Sequence, residues 1–389
     1  MLAVIDAYGN VTHNLNQHVP FDAPYPSGEH MRSLVKSGPA RRGQASIQPL
    51  QDQTDQPLWV LARGGTNVLA QALYKIHTYF STAEAAFIRS KIRVYAISDQ
   101  DDTDKFYIAS TPGWNQYGLA AWSGISGTYD KGGPDLSKIT SKWIRENIQI
   151  GSYGRTVYPD YEYIMEGDTP TFLYLIQNGL GVREHPEYGS WGGRYMKVTP
   201  STVSNLTHYA DAADRVIGLD NESYISNYAT IWRWRDAFQI DFAARMQWSL
   251  PANISRTNHQ LVISIEGSVS LAPLNVSVEF RSKISLNAGA TEDPGGDSLA
   301  FRWFQYKEPG ADNWNVAGEV PELNITVLHE GRMVQVQILD EKLSCDGMSL
   351  NPSGCWLLHL ILEVTDNGYH PLTSYKRVLM QTTNVTLES

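Results

Sequence analysis

Apolar positions along the chain follow two different periods, and the change falls near residue 250. Before it, short apolar runs alternate with stretches of helical spacing; after it, every second residue tends to be apolar. The first part is organised around residues 58–73. Leu58 to Ala62 is a short apolar run fit for a buried strand, and Gly64-Gly65 is a sharp turn. Thr66 or Asn67 caps a helix on which Val68, Leu69, Ala72, Leu73 and Ile76 recur at helical spacing. Strand, turn and capped helix together leave free backbone amides at the carboxyl end of a strand, where open α/β sheets take ligands. The same residues also suit a plain connection with no ligand.

Around this unit the pattern predicts further elements. Ser27 caps a short helix through Val35, Ala3 to Ile5 reads as a strand end, and residues 37–57 read as a long loop. Ile92 to Ile97 is a second strand, followed by Asp99, Asp101, Asp102 and Asp104, acids that suit either a divalent cation or a helix start. Phe106 to Ser110 reads as a third strand and Ile139 to Ile148 as an amphipathic helix. Glu166 and Asp168 straddle a glycine ahead of a Thr-Pro helix start. In extended chain they share a face, so one can raise the other's pKa or both can hold a cation; alternatively Asp168 caps the helix. Residues 230–248 form a long helix with Trp234, Phe238, Phe242 and Met246 as its buried stripe, and Asp241 and Arg245 as an i,i+4 pair. Beyond Pro251, eight short alternating segments, beginning with Leu261 to Ile265, read as a β-sandwich.

Composition narrows the function. A net charge of −10 argues against nucleic acid as a partner. The 11 Trp and 21 Tyr suit stacking on sugar faces, although such rings also fill cores. Asn-x-Ser/Thr acceptors stand at Asn10, Asn205, Asn221, Asn253, Asn275, Asn324 and Asn384. Cys345 and Cys355, the only cysteines, are close enough for a small disulfide loop. Both signals favour secretion. No signal peptide opens the chain and no run approaches the roughly 20 apolar residues of a membrane span, so the true amino terminus is expected to lie upstream of Met1.

Four segments carry a family resemblance: Arg63-Gly-Gly-Thr-Asn-Val-Leu-Ala-Gln-Ala-Leu, Met165-Glu-Gly-Asp-Thr-Pro-Thr-Phe-Leu-Tyr-Leu-Ile, Trp191-Gly-Gly-Arg-Tyr, and the run from Trp232 to Met246. They are similar to the Sde182-type cellulose-binding family. Asp293-Pro-Gly-Gly-Asp-Ser-Leu-Ala-Phe-Arg-Trp-Phe and Leu360-Ile-Leu-Glu-Val-Thr-Asp-Asn-Gly resemble its second domain. The resemblance implies a nucleoside hydrolase-like α/β domain with a Rossmann-type sheet over residues 1–252 and an immunoglobulin-like β-sandwich over 259–384. It also implies a secreted protein acting on glycosidic bonds, with a carbohydrate or glycoside as partner. By that likeness Glu166 and Asp168 form the candidate catalytic pair, and Gly65, Asn67, Trp191, Arg194 and Arg235 contact substrate. Thr66, through its carbonyl, and Asp236 would hold Ca2+. The family's acidic first strand, which supplies most calcium ligands, has no counterpart here, so the calcium shell is expected to be incomplete. Two alternatives are a non-catalytic polysaccharide-binding protein, with Trp191 and Trp114 as stacking rings, and an inactive truncated paralogue.

Overall fold

The structure is a computed structural model, and it describes residues 1–20, 22–36, 56–63, 65–97, 114–117, 125, 127–198, 207–251, 257–310, 320–344 and 355–383. Residues 37–55 of the loop expected over 37–57, the acids from Asp99 to Asp104, the strand expected at 106–110, Gly64 and Cys345 lie outside them.

The amino-terminal part is built on a five-stranded sheet of β1 (Leu58–Ala62), β2 (Ile92–Ala96), β3 (Trp114–Tyr117), β4 (Tyr195–Val198) and β5 (Thr207–Asp211). Its order is β1-β2-β3-β5-β4; all neighbours are parallel except β4, which runs antiparallel to β5. Side chains alternate across each strand, so β1 serves both faces. Leu58 and Val60 pack with Ile92 and Val94 under the helices Asn67–Tyr79 and Thr82–Ser90, whose Leu69, Ala72, Leu73, Ile76, Ala85 and Ile88 face inward. Val68, expected on that stripe, is exposed instead. Trp59 and Leu61 point the other way, into an aromatic core with Tyr95, Tyr174, Trp191, Trp234 and Phe238.

The sequence-based elements hold in part. Ser27 caps the helix Gly28–Leu34, its hydroxyl accepting the His30 N–H at 3.1 Å. Residues 2–9 are helical rather than extended. The expected helix over 230–248 is two, Ala229–Trp232 and Arg235–Trp248, broken where Trp234 leaves helical geometry. A two-stranded hairpin, β6 (Asp214–Ile217) with β7 (Ser223–Ser226), precedes them.

The β-rich part follows. A four-stranded sheet, in the order β10 (Leu299–Gln305), β13 (Leu357–Asp366), β14 (Thr373–Thr383) and β8 (Leu274–Glu279), faces a three-stranded one of β11 (Asn324–Leu328), β12 (Met333–Gln337) and β9 (Lys283–Asn287). The two share one core, with Trp303, Leu360, Leu362, Val364 and Val378 from one sheet and Leu286, Val334 and Val336 from the other. Seven of the eight expected strands are present. The segment from Leu261 to Ile265 makes only isolated bridges, Val262 with Glu292 and Ile265 with Ser268.

The outer face of β13 and β14 is buried as well, because the amino-terminal part rests on it. Ile361, Tyr375 and Tyr306 join the aromatic core. Gly179 fits against β14 at φ +85°, where a Cβ would lie 1.8 Å from the Tyr375 carbonyl oxygen; the Tyr375 N–H donates to the Asn178 carbonyl at 2.9 Å. Beside it, the fully buried Arg377 guanidinium donates to the carbonyls of Leu180, Tyr188 and Gly189 and to Nδ1 of His359.

Candidate functional site

In an open parallel sheet the ligand edge is the one where strands end and chain turns outward. Here β1 ends at Ala62, and the next residue, Arg63, donates from Nε to the Thr171 hydroxyl at 3.0 Å and lies over the Phe172 ring. That contact brings the segment 165–173 to the carboxyl end of β1. Asp168 does not cap the short helix Pro170–Leu173 with its side chain; its main-chain carbonyl accepts from the N–H and the hydroxyl of Thr171, at 3.1 and 2.7 Å. Its carboxylate is left partly accessible.

Glu166 sits deeper. The Tyr158 hydroxyl donates to its Oε1 at 2.6 Å. Burial raises the Glu166 pKa, and the Tyr158 hydrogen bond and the Arg63 charge only partly oppose this. The perturbation therefore comes from desolvation, whereas the sequence had offered the neighbouring Asp168 as a cause. A carboxyl held toward its protonated form beside a second carboxylate two residues away is the raw material of general acid catalysis.

Gly65 and Asn67 are both exposed at this end of β1, so they can meet a ligand. Thr66 is the buried N-cap of the helix, and its carbonyl accepts the Ala70 N–H at 2.9 Å. That carbonyl is directed along the helix, a poor orientation for a metal ligand at the edge. Asp236 is 60 % exposed at its side chain and is engaged by Lys138 Nζ at 2.9 Å, which also binds Asp135. Among the described residues no three carboxylates, imidazoles or thiolates come together as a metal shell requires. The described residues thus do not fit the expected calcium ion, and no chemical step is derived through one.

The other three substrate candidates are packing residues. Trp191 is 1 % exposed, edge-on to Phe238 and Tyr375, with no ring face for a sugar. Arg194 is buried with its Nε on Asp214 Oδ1 at 2.7 Å. Asp214 also binds Arg233 at 2.7 Å and the hydroxyl of Tyr306, and Arg233 lies 3.6 Å from Glu308. Burial would raise the Asp214 pKa, but the two guanidinium groups hold it below the usual range, while burial and Asp214 itself push Glu308 up. Arg235 is 1 % exposed; it donates to the carbonyls of Ile125 and Asp135, and burial lowers its pKa to about 10. The Trp114 side chain lies outside what the structure describes, and Cys355 is disulfide-bonded.

At the far end of the same edge the structure brings together residues that the sequence reading passed over. Asp211 closes β5, with Asn227 Nδ2 at 3.5 Å from its Oδ2. Next to Asn227, the Tyr228 ring stacks on Tyr129, centroids 4.5 Å apart and planes 7° from parallel. Tyr129 and Tyr228 are almost a hundred residues apart, so no local spacing announces them. The only available signal was an acid at the last position of a strand.

A mostly parallel sheet with acids and aromatic rings at its carboxyl edge, joined to a β-rich region, defines a nucleoside hydrolase-like chain. The chain belongs to the cellulose-binding Sde182 family: residues 1–195 match the model for the Sde182 nucleoside hydrolase-like domain, and residues 283–382 match that for the Sde0182 C-terminal domain. Among solved structures it is similar to a nucleoside hydrolase-related hypothetical protein from Saccharophagus degradans associated with carbohydrate metabolism. That likeness has a TM-score of 0.73 at 24% identity and covers 98% of this chain and 87% of that one. No curated protein sequence matches the chain.

Proposed function

We propose that this chain is a carbohydrate-active protein that takes a glycan at the carboxyl edge of its sheet and cleaves a glycosidic bond there. The observation that carries the proposal is Glu166: a carboxyl whose pKa is raised by burial, fixed by Tyr158, at the end of β1. In this reading Glu166 donates a proton to the departing glycosidic oxygen. The Asp168 carboxylate takes a proton from the water that attacks the anomeric carbon, so a new C–O bond to water forms as the glycosidic C–O bond breaks. Arg63, Gly65 and Asn67 position hydroxyl groups. The family description, cellulose-binding, supports a polysaccharide ligand.

Release of reducing ends from a β-1,4-glucan tests this. Glu166→Gln keeps the shape but cannot give up a proton, so turnover falls about 100-fold or more while retention on insoluble cellulose is unchanged. The activity of the natural chain falls as pH rises through the elevated Glu166 pKa. Full turnover in Glu166→Gln would remove Glu166 from this role. A second reading, polysaccharide binding without cleavage, is supported by the family description, cellulose-binding. Cellulose retention with no turnover at any calcium concentration would select it.

The same reading places the protein outside the cell, and the small region as an immunoglobulin-like sandwich. The Cys355 disulfide and the exposure of Asn10, Asn221, Asn275 and Asn324 support secretion, and seven strands around one core support the sandwich.

A further inference from the structure

The stacked pair at the end of β5 has features that ordinary surface tyrosines lack. Tyr129 is 46 % exposed, yet the chain that follows it is fixed. Asp130 is held in the left-handed region at φ +53°, and its Oδ2 accepts from the Ser226 hydroxyl and from the Trp232 indole N–H at 2.9 Å. Ser226 in turn accepts the Ala229 N–H at 3.0 Å, at the start of the helix that follows Tyr228. Further along the same loop, the Tyr224 hydroxyl donates to the Lys131 carbonyl at 2.8 Å, and the Leu219 N–H donates to the Gly133 carbonyl at 3.0 Å. The loop that carries Tyr129 is therefore stapled to the β6–β7 hairpin. The exposed ring is presented without the side-chain freedom that binding would otherwise have to remove. A flat aromatic face fixed at the surface beside a carboxylate suits a pyranose ring, whose C–H face stacks and whose hydroxyls donate to Asp211.

The topology sets its distance from the proposed reacting group. From β1 to β5 the sheet takes three interstrand steps of about 4.8 Å, so the two ends of the edge lie about 14 Å apart. That span exceeds one sugar ring.

We infer that Tyr129, backed by Tyr228, is a glycan subsite remote from Glu166, so the ligand is an extended oligosaccharide lying along the edge rather than a single glycoside. This rests on the carbohydrate reading above and adds to it a length requirement. The test is titration calorimetry of the full chain and its Tyr129→Ala and Tyr129→Phe variants, with a β-1,4-glucan hexamer and with the dimer. Tyr129→Ala weakens the hexamer about five- to tenfold and leaves the dimer unchanged, whereas Tyr129→Phe, which keeps the ring, binds both like the parent. Hexamer affinity untouched in Tyr129→Ala overturns the subsite while leaving the carbohydrate reading in place, as does equal weakening of hexamer and dimer. Absence of binding by the parent chain to either glucan overturns both together. Unchanged thermal unfolding of the Tyr129→Ala chain separates a lost stacking face from a lost fold.

Discussion

The seam between the two parts of the molecule and the carboxyl edge of the sheet are made of the same residue types, arranged to opposite ends. At the seam, Arg194, Asp214, Tyr306, Arg377 and Trp191 are shut away and Arg233 is partly so, and their polar groups meet one another or main-chain carbonyls. At the edge, Arg63, Asp168, Phe172, Asp211 and Tyr129 remain partly or largely open. Accessibility, not residue type, separates the residues that hold the protein together from those that can meet a ligand. A buried charge tolerates no loss of partner, whereas an exposed one is cushioned by water.

The largest expected effect follows directly. Asp214→Ala leaves the buried Arg194 guanidinium and the partly buried one of Arg233 without their shared carboxylate, which costs about 3–5 kcal/mol. Urea unfolding measures it as a fall in the midpoint. A loss below about 1 kcal/mol would mean that water reaches the seam, and the contrast with the edge would collapse.

That contrast was only half legible in the sequence. The change of period near residue 250 identified seven strands because a half-buried strand must alternate, and Ser27 announced its helix because an orphan N–H needs an acceptor. The carboxyl end of β1 was likewise readable, since strand, turn and helix follow one another in the chain. The seam was not. Trp191 meets Tyr375 across 184 positions and Arg377 meets the Leu180 carbonyl across 197, and no local pattern encodes either contact. Trp191, Arg194 and Arg235 are named as ligand residues by the family resemblance, which carries no information on their burial in this chain. Here their partners came from distant segments.

Acid should act on the two regions in opposite directions. His359 is held neutral at the seam: burial lowers its pKa well below the usual value, and the charges of Arg377, His185 and Arg194 reinforce this. The unfolded chain takes up that proton near pH 6.5, so stability is full above this pH and declines as pH falls below it. His18 and His259, stacked on Trp248 with their nitrogens 3.0 Å apart, are also lowered by burial and have the same sign. Glu166 at the edge instead requires its proton and favours acid. Unfolding midpoints should fall from pH 7 to pH 5 while turnover per folded molecule does not. A midpoint that rises on acidification would show that these imidazoles are not buried neutral.

The smallest effect probes the border between the regions. Asp236 adjoins the buried Arg235 in sequence, yet its carboxylate is mostly in water and its pairing with Lys138 is shared with Asp135. An exposed pair of this kind contributes below about 1 kcal/mol, because solvent screens the attraction and the Lys138 side chain keeps a second partner. Asp236→Ala should therefore leave the unfolding midpoint almost unmoved, in contrast to Asp214→Ala. If the carboxylate instead completed a metal shell with acids from 99–104, the substitution would abolish a calcium-dependent rise in thermal stability, because a ligand bound only to the folded chain stabilises it. Equal calcium responses in the parent and in Asp236→Ala would place this residue outside any such shell.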